Sequence, residues 1–172
     1  MRYILKWIKE YGLSIVIAIV LALFINTYVA QAVIVPTNSM DPTIKVDDRL
    51  VLQKWSLNDL QHGDIVAFWP PIPDNHDAYI KRLIGLPGDT IEVKDGALYR
   101  NGEKLDEPYV KVHINYTFPK VVVPSGKYFF LGDNRNVSND SHKWPTPFVD
   151  ESEIIGKAWI RFFPFGSFGS IE

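Results

Sequence analysis

The stretch "GLPGDTIEVKDGALYRNGEKL", Gly85 to Leu105, decides the fold. Pro87-Gly88 suits a type II turn, while Asp95-Gly96 and Asn101-Gly102 suit the tight primed turns of two-residue hairpins. The runs between these turns are too short for helices and long enough for strands. The segment therefore reads as a meander of short strands, with the option of forming its own lobe. Outward from it the same punctuation continues. "DRLVLQKW", "DIVAFW" and "YIKRLIG" read as strands, with "PPIPDNHDA", Pro70 to Ala78, as the loop before the last of these. "KVVV" and "KYFFLG" form a further hairpin about Pro124-Ser125-Gly126, and "KAWIRFFPF" reads as a final strand. The pattern is that of an all-β domain.

One segment breaks the pattern. No formal charge occurs between Glu10 and Asp41, and "GLSIVIAIVLALFI", Gly12 to Ile25, is densely apolar. About 20 such residues span a bilayer as a helix. The expected organisation is a cytoplasmic amino terminus over 1–10, a transmembrane anchor over 11–35 and an extracytoplasmic β domain over 36–172. Arg2, Lys6 and Lys9 against Glu10 set that orientation. The competing reading is a cleaved secretory signal, because "AQA", Ala30 to Ala32, resembles a cleavage site. The uncharged stretch runs on past it, which favours a retained anchor. Trp69, Trp144 and "RFFPFGSF" suit either a membrane interface or core contacts.

Composition narrows the chemistry. The 172 residues carry 18 Lys and Arg against 20 Asp and Glu, and no basic cluster lies beyond the first ten residues. Nucleic acid is thus excluded as a partner class. Cysteine is absent, which removes disulfides, thiolate metal sites and cysteine nucleophiles together. Any nucleophile is an oxygen or an amine.

"VPTNSMDPTI", Val35 to Ile44, places Ser39 among turn formers where the apolar run ends. A serine there is ordinarily a turn residue. As a nucleophile it needs a base, and two solutions are open. Of the four histidines only His142 has acidic company, Asp133 and Asp140, in "GDNRNVSNDSHKW", which permits a Ser-His-Asp triad. The other is Lys81, set in the apolar strand "YIKRLIG", where burial would keep an amine neutral if it faces the side away from Arg82; the competing account is a solvated charge at a strand edge.

In order and spacing, "PTNSMDPT", "HGDIVAF", "YIKRLIGLPGD" and "GDNRNVSNDS" behind an amino-terminal anchor resemble the bacterial type I signal peptidases, membrane-bound Ser-Lys endopeptidases. The resemblance runs from the anchor to about Phe165. It implies an all-β fold of antiparallel sheets, with Ser39 as nucleophile and Lys81 as general base. Thr37 and the Ser39 N–H would form the oxyanion hole. Ser138 would orient the Lys81 amine, and Asp133 and Asp140 would brace the surrounding loops. Two positions depart from the family pattern. His142 stands where an arginine is common, leaving Arg135 or Lys143 to replace it beside Asp140, and Asn38 stands where a glycine is frequent.

The resemblance also implies the substrate: signal peptides of exported preproteins, cut after small-x-small motifs such as Ala-x-Ala. Such a peptide would lie extended between "VIVPTNS" and "DAYIK", with Val35, Met40, Ile44, Tyr79 and Ile80 lining shallow pockets. Core packing is the competing account of those five. No cofactor or metal is implied; the partners are preproteins and membrane lipid, in a bacterial plasma or thylakoid membrane. A Ser-Lys self-cleaving repressor protease would need a DNA-binding domain in place of the anchor. The alternative outside enzymes is a membrane-tethered β domain that binds an exported partner without catalysis. Oligomeric state is not legible.

Overall fold

The computed structural model describes the backbone of residues 2–171 and side chains from Glu10 onward. The side chains of Arg2, Lys6 and Lys9, on which the expected orientation rests, lie outside the described ones.

Helix α1 (Arg2–Phe24) passes into a π-helical turn, Ile25–Val29, and then directly into strand β1 (Ala30–Ile34). Over Glu10–Val29 the segment is long and apolar enough to cross a membrane, and none of it is buried against the rest of the described chain. The stretch expected as one anchor over 11–35 is therefore divided. Its last part is a strand, and "AQA" lies in that strand, each alanine paired across the sheet.

The strands form two antiparallel sheets. The larger contains β1, β2 (Arg49–Gln53), β3 (Ile65–Phe68), β4 (Tyr79–Gly85), β9 (Lys127–Leu131), β10 (Val149–Asp150), β11 (Ile154–Phe163) and β12 (Gly169–Ser170). Its order is β1-β2-β11-β3-β4-β9-β10, with β12 added beside β11. The smaller holds the meander β5 (Thr90–Lys94), β6 (Ala97–Arg100) and β7 (Glu103–Lys104), flanked by β8 (Phe118–Val122), in the order β7-β6-β5-β8.

The hairpin expected about Pro124-Ser125-Gly126 does not form: β8 pairs with β5 in the smaller sheet and β9 with β4 and β10 in the larger, so the turn carries the chain from one sheet to the other. The turn chemistry of the meander holds residue by residue. Asp95 and Gly96 have φ of 51° and 70°, Asn101 and Gly102 of 56° and 85°, as primed hairpins require, and Gly88 has φ of 90° at the turn before β5. The small sheet is not an independent lobe. Its Ile91, Val93 and Leu98 share one core cluster with Ile84 of β4 and Phe129 and Leu131 of β9. Sheet contact is close enough that a Cβ at Gly85 would meet Val123 Cγ2 at 2.9 Å.

A second cluster, with Phe68 stacked on Phe130 at 4.2 Å, includes Trp144, which is a core residue. Trp69, Phe165 and Phe168 are exposed. The third cluster joins Val35, Met40 and Ile44 to Leu50, Leu52 and Ala67, so the turn after β1 is pinned by its own apolar residues.

Candidate active site

Strand β1 delivers the chain to the site. The Val35 N–H donates to Asp48 O at 3.0 Å and Val35 O accepts from the Asp47 N–H at 2.9 Å, which ends the ladder. Pro36 has no N–H to extend it. The turn that follows closes with the Asp41 N–H on Asn38 O and the Ile44 N–H on Met40 O. Met40 and Ile44 go into the core, and Ser39, itself largely buried at 9% exposure, faces the cleft.

Lys81 comes from β4, which lies inside the larger sheet between β3 and β9. Its Nζ is 2.8 Å from Ser39 Oγ and donates to Ile80 O at 3.0 Å. Burial pulls the Lys81 ammonium down to about 8, against the Asp140 and Asp133 carboxylates, which favour its charged form. An amine so placed is neutral in about a tenth of molecules at pH 7 and in about half at pH 8, far more than an ordinary lysine. It can then accept the proton of Ser39. Thr37 Oγ1 lies 3.2 Å from Ser39 Oγ on the exposed side. Among the described residues no histidine lines the cleft over Ser39; His142 bonds Asp140, and His62 bonds Asp89.

Loop 132–142 closes the site from behind. The Asn134 N–H donates to Ser39 O at 3.1 Å and Asn134 Nδ2 to Asn38 O at 3.2 Å. A Cβ at Gly132 would stand 2.4 Å from Ser39 O and 2.3 Å from Ser138 Oγ, so only glycine permits this approach. Ser138 is fully buried beside it, and its hydroxyl has no hydrogen-bond partner; the expected bond to Lys81 is not formed.

A cleft of about 980 Å³ runs over the pair. Its walls are β1 with the following turn on one side and residues 77–81 on the other. β9 pairs with β4 only from Arg82 onward, so the other edge of Tyr79–Lys81 carries no β9 partner, and β1 is an edge strand. Of the five expected pocket residues Val35, Met40, Tyr79 and Ile80 line the cleft. Ile44 does not; it is fully buried in the core cluster behind Met40.

The two acids are both fully buried. Asp133 takes Arg82 Nε at 2.9 Å and Nη2 at 2.7 Å, together with the Thr43 hydroxyl. Asp140 accepts the Gly132 N–H at 2.9 Å and contacts His142 Nδ1 at 2.6 Å.

A family model described as signal peptidase, peptidase S26, matches residues 8–163. The chain belongs to this family. It is a serine peptidase, a hydrolase. Among its relatives, a probable signal peptidase I-2 of Synechocystis is 45% identical over 161 residues, covering 90% of this chain and 73% of the relative. A signal peptidase I of Leptolyngbya laminosa is 41% identical, with 98% and 84% covered. A signal peptidase IB of Staphylococcus aureus is 36% identical, with 95% and 93% covered. A crystal structure of a signal peptidase I from Enterococcus faecalis is 37% identical, covers 58% of this chain and 96% of its own, and superposes with a TM-score of 0.50.

Within this peptidase the two departures have local explanations. Asn38 is not among the described residues with positive φ, so the backbone there accommodates a side chain. His142 takes the place beside Asp140 and stacks on Tyr116 at 3.9 Å with 6° between the rings. Arg135 does not substitute at Asp140. It is fully buried and bonds both oxygens of Glu107, at 2.6 and 2.5 Å, while its Nε donates to Gly132 O. Glu107 and Arg82 escaped the sequence reading. Each is a charged residue whose only signal is a partner far along the chain.

Proposed function

We propose that this peptidase removes amino-terminal signal peptides from exported preproteins, cutting after small-x-small motifs through an acyl-enzyme on Ser39. The observation that carries this is the 2.8 Å contact between Ser39 Oγ and a lysine buried to 4% exposure, at the floor of an open cleft.

The substrate lies extended between the free edges of β1 and Tyr79–Lys81, adding a strand. Neutral Lys81 takes the Ser39 proton as Oγ attacks the scissile carbonyl. The resulting oxyanion faces the Ser39 N–H and the Thr37 hydroxyl. Collapse expels the amine of the mature chain, which receives the proton from the Lys81 ammonium. Lys81 then deprotonates a water that hydrolyses the ester, and the departing Ser39 oxygen recovers a proton. Ser138 orients the amine once substrate fills the cleft. Val35, Met40, Tyr79 and Ile80 leave space for alanine beside the cut and exclude larger groups. The apolar helix spans the bilayer with its amino terminus in the cytoplasm, so the cleft lies outside, at the level where a signal peptide leaves the membrane.

The test is cleavage of a preprotein by the intact chain beside Ser39→Ala. Cleavage after Ala-x-Ala by the parent alone supports the reading, as does loss of cleavage when that final alanine is tryptophan. No cleavage, together with no acylation of Ser39 by a reactive lactam, overturns it in favour of a binding domain. Protease added outside right-side-out vesicles digests the β domain if the orientation is correct.

A further inference from the structure

We infer that Lys54 is a positioning residue that holds the catalytic cleft at a fixed height and angle over the apolar helix, and so selects which bond of a membrane-held substrate reaches Ser39. The inference rests on the proposed peptidase function.

No linker separates the helix from the β domain. The π-helical turn ends at Val29, with the Ala30 N–H on Ile25 O, and β1 begins at the next residue. The last carbonyls of a helix have no partner within it, and a cation is favoured beside them. Lys54 supplies both needs. Its Nζ donates to Asn26 O at 3.0 Å and to Thr27 O at 3.4 Å, and its N–H donates to Val29 O at 2.9 Å. One residue thus binds three carbonyls of the helix end.

Lys54 directly follows β2, whose register with β1 runs from Ala30↔Gln53 to Ile34↔Arg49. At the far end of that ladder Val35 bonds Asp48, and the turn holding Ser39 follows. Helix end and nucleophile are therefore fastened to opposite ends of one strand pair. A strand rises about 3.3 Å per residue, and an extended substrate has the same repeat, so one residue of slack at the joint shifts the cut by one residue. Lys54 is not among the residues lining the cleft. A short soluble peptide carries no membrane reference, so its hydrolysis is indifferent to the joint.

The experiment uses the full chain in lipid vesicles and a preprotein with two adjacent Ala-x-Ala sites at different distances from its apolar segment. Lys54→Met keeps the stem and removes the donor; Lys54→Arg keeps a donor. Lys54→Met is expected to cut a soluble Ala-x-Ala peptide at the parent rate while the preference between the two sites drops about threefold to tenfold, the value of one such bond. Lys54→Arg restores the preference.

Because the chain has no cysteine, spin labels at Leu23→Cys and Lys104→Cys report the joint directly. The distance distribution is expected to be narrow in the parent and broader with Lys54→Met. An unchanged site preference, unchanged label distances, or an equal fall in peptide and preprotein turnover overturns the inference. If the parent cuts neither substrate, the peptidase reading fails, and the label distances still decide whether Lys54 holds the joint.

Discussion

Arg82 occupies both carboxylate oxygens of Asp133, at 2.9 and 2.7 Å, and thereby leaves its neighbour Lys81 without a carboxylate of its own. The two cations are adjacent in β4 and both buried, at 2% and 4% exposure. Arg82 is matched by an anion, by Gly63 O at 2.8 Å and by the Tyr109 ring at 3.8 Å. The hydrogen-bond partners of Lys81 are a hydroxyl and a carbonyl. One strand thus carries a permanent charge and a titratable amine, separated by which face each side chain meets.

Activity should rise with pH along a limb near pH 8, the value to which burial lowers Lys81. Lys81→Arg should be as inactive as Lys81→Ala, because a guanidinium stays protonated and cannot accept the serine proton. The pH dependence of kcat/KM on a signal-peptide substrate checks this. An active Lys81→Ala with an inactive His142→Ala would restore the histidine triad.

The same amine makes stability depend on pH. Its folded value of about 8 lies below the ordinary 10.5. The folded chain therefore binds that proton more weakly than the unfolded chain. This contribution is fully present above the unfolded value, declines as pH falls from there, and is lost below the folded value. The difference is about 3 kcal/mol. Lys81→Met should melt at a higher temperature than the parent at pH 7, with the gap closing towards pH 10 in the same detergent.

Thr37→Val should lower kcat by about a hundredfold to a thousandfold, equivalent to roughly 2.7 to 4 kcal/mol for one oxyanion donor. Thr37→Ser keeps the hydroxyl and should keep most of the rate. Equal rates for parent and Thr37→Val would remove the residue from the mechanism.

Arg82→Met leaves Asp133 buried and uncompensated, at a cost of about 3 to 5 kcal/mol of stability. Its freed carboxylate then favours the Lys81 ammonium. In whatever folds, the acid limb should move to higher pH, and Arg82→Met with Asp133→Asn together should move it back. An unshifted limb in the single variant would show that Arg82 does not insulate Lys81.

His142→Ala removes a contact to Asp140 but leaves the Gly132 N–H bond in place. The expected outcome is a partial loss of stability, about 1 to 3 kcal/mol, with the limb near pH 8 retained. Thermal melting and the pH profile measured together separate this from a catalytic role.

The meander's hairpins were legible because their turns are local: Asp95-Gly96 and Asn101-Gly102 dictate backbone angles whatever surrounds them. The turn at Pro124-Ser125-Gly126 joins two strands of different sheets, and its local chemistry could not tell that from a hairpin. Strand β1 was not. "AVIV" continues an uncharged run, and only pairing with β2 tells a strand from the end of a helix. Ser39 and Lys81 could be singled out by type and by resemblance, yet the sequence alone left His142 open as base. The Glu107–Arg135 and Arg82–Asp133 pairs had no local signature, since nothing near a charged residue announces a distant partner. Ile44 shows the converse: an apolar residue five positions from Ser39 fits a pocket as readily as a core until its direction is known.

The contacts that build the site join residues far apart along the chain: 42 positions between Lys81 and Ser39, 51 between Arg82 and Asp133, 96 between Asn134 and Asn38. Long-range strand pairing of this kind forms late, because the loops must close before the contacts repay them. A nascent chain carries Ser39 apart from Lys81, and Lys81 in water with its full charge. On the proposed Ser-Lys mechanism the protease is therefore inert while it is being made and becomes competent only when the sheet closes.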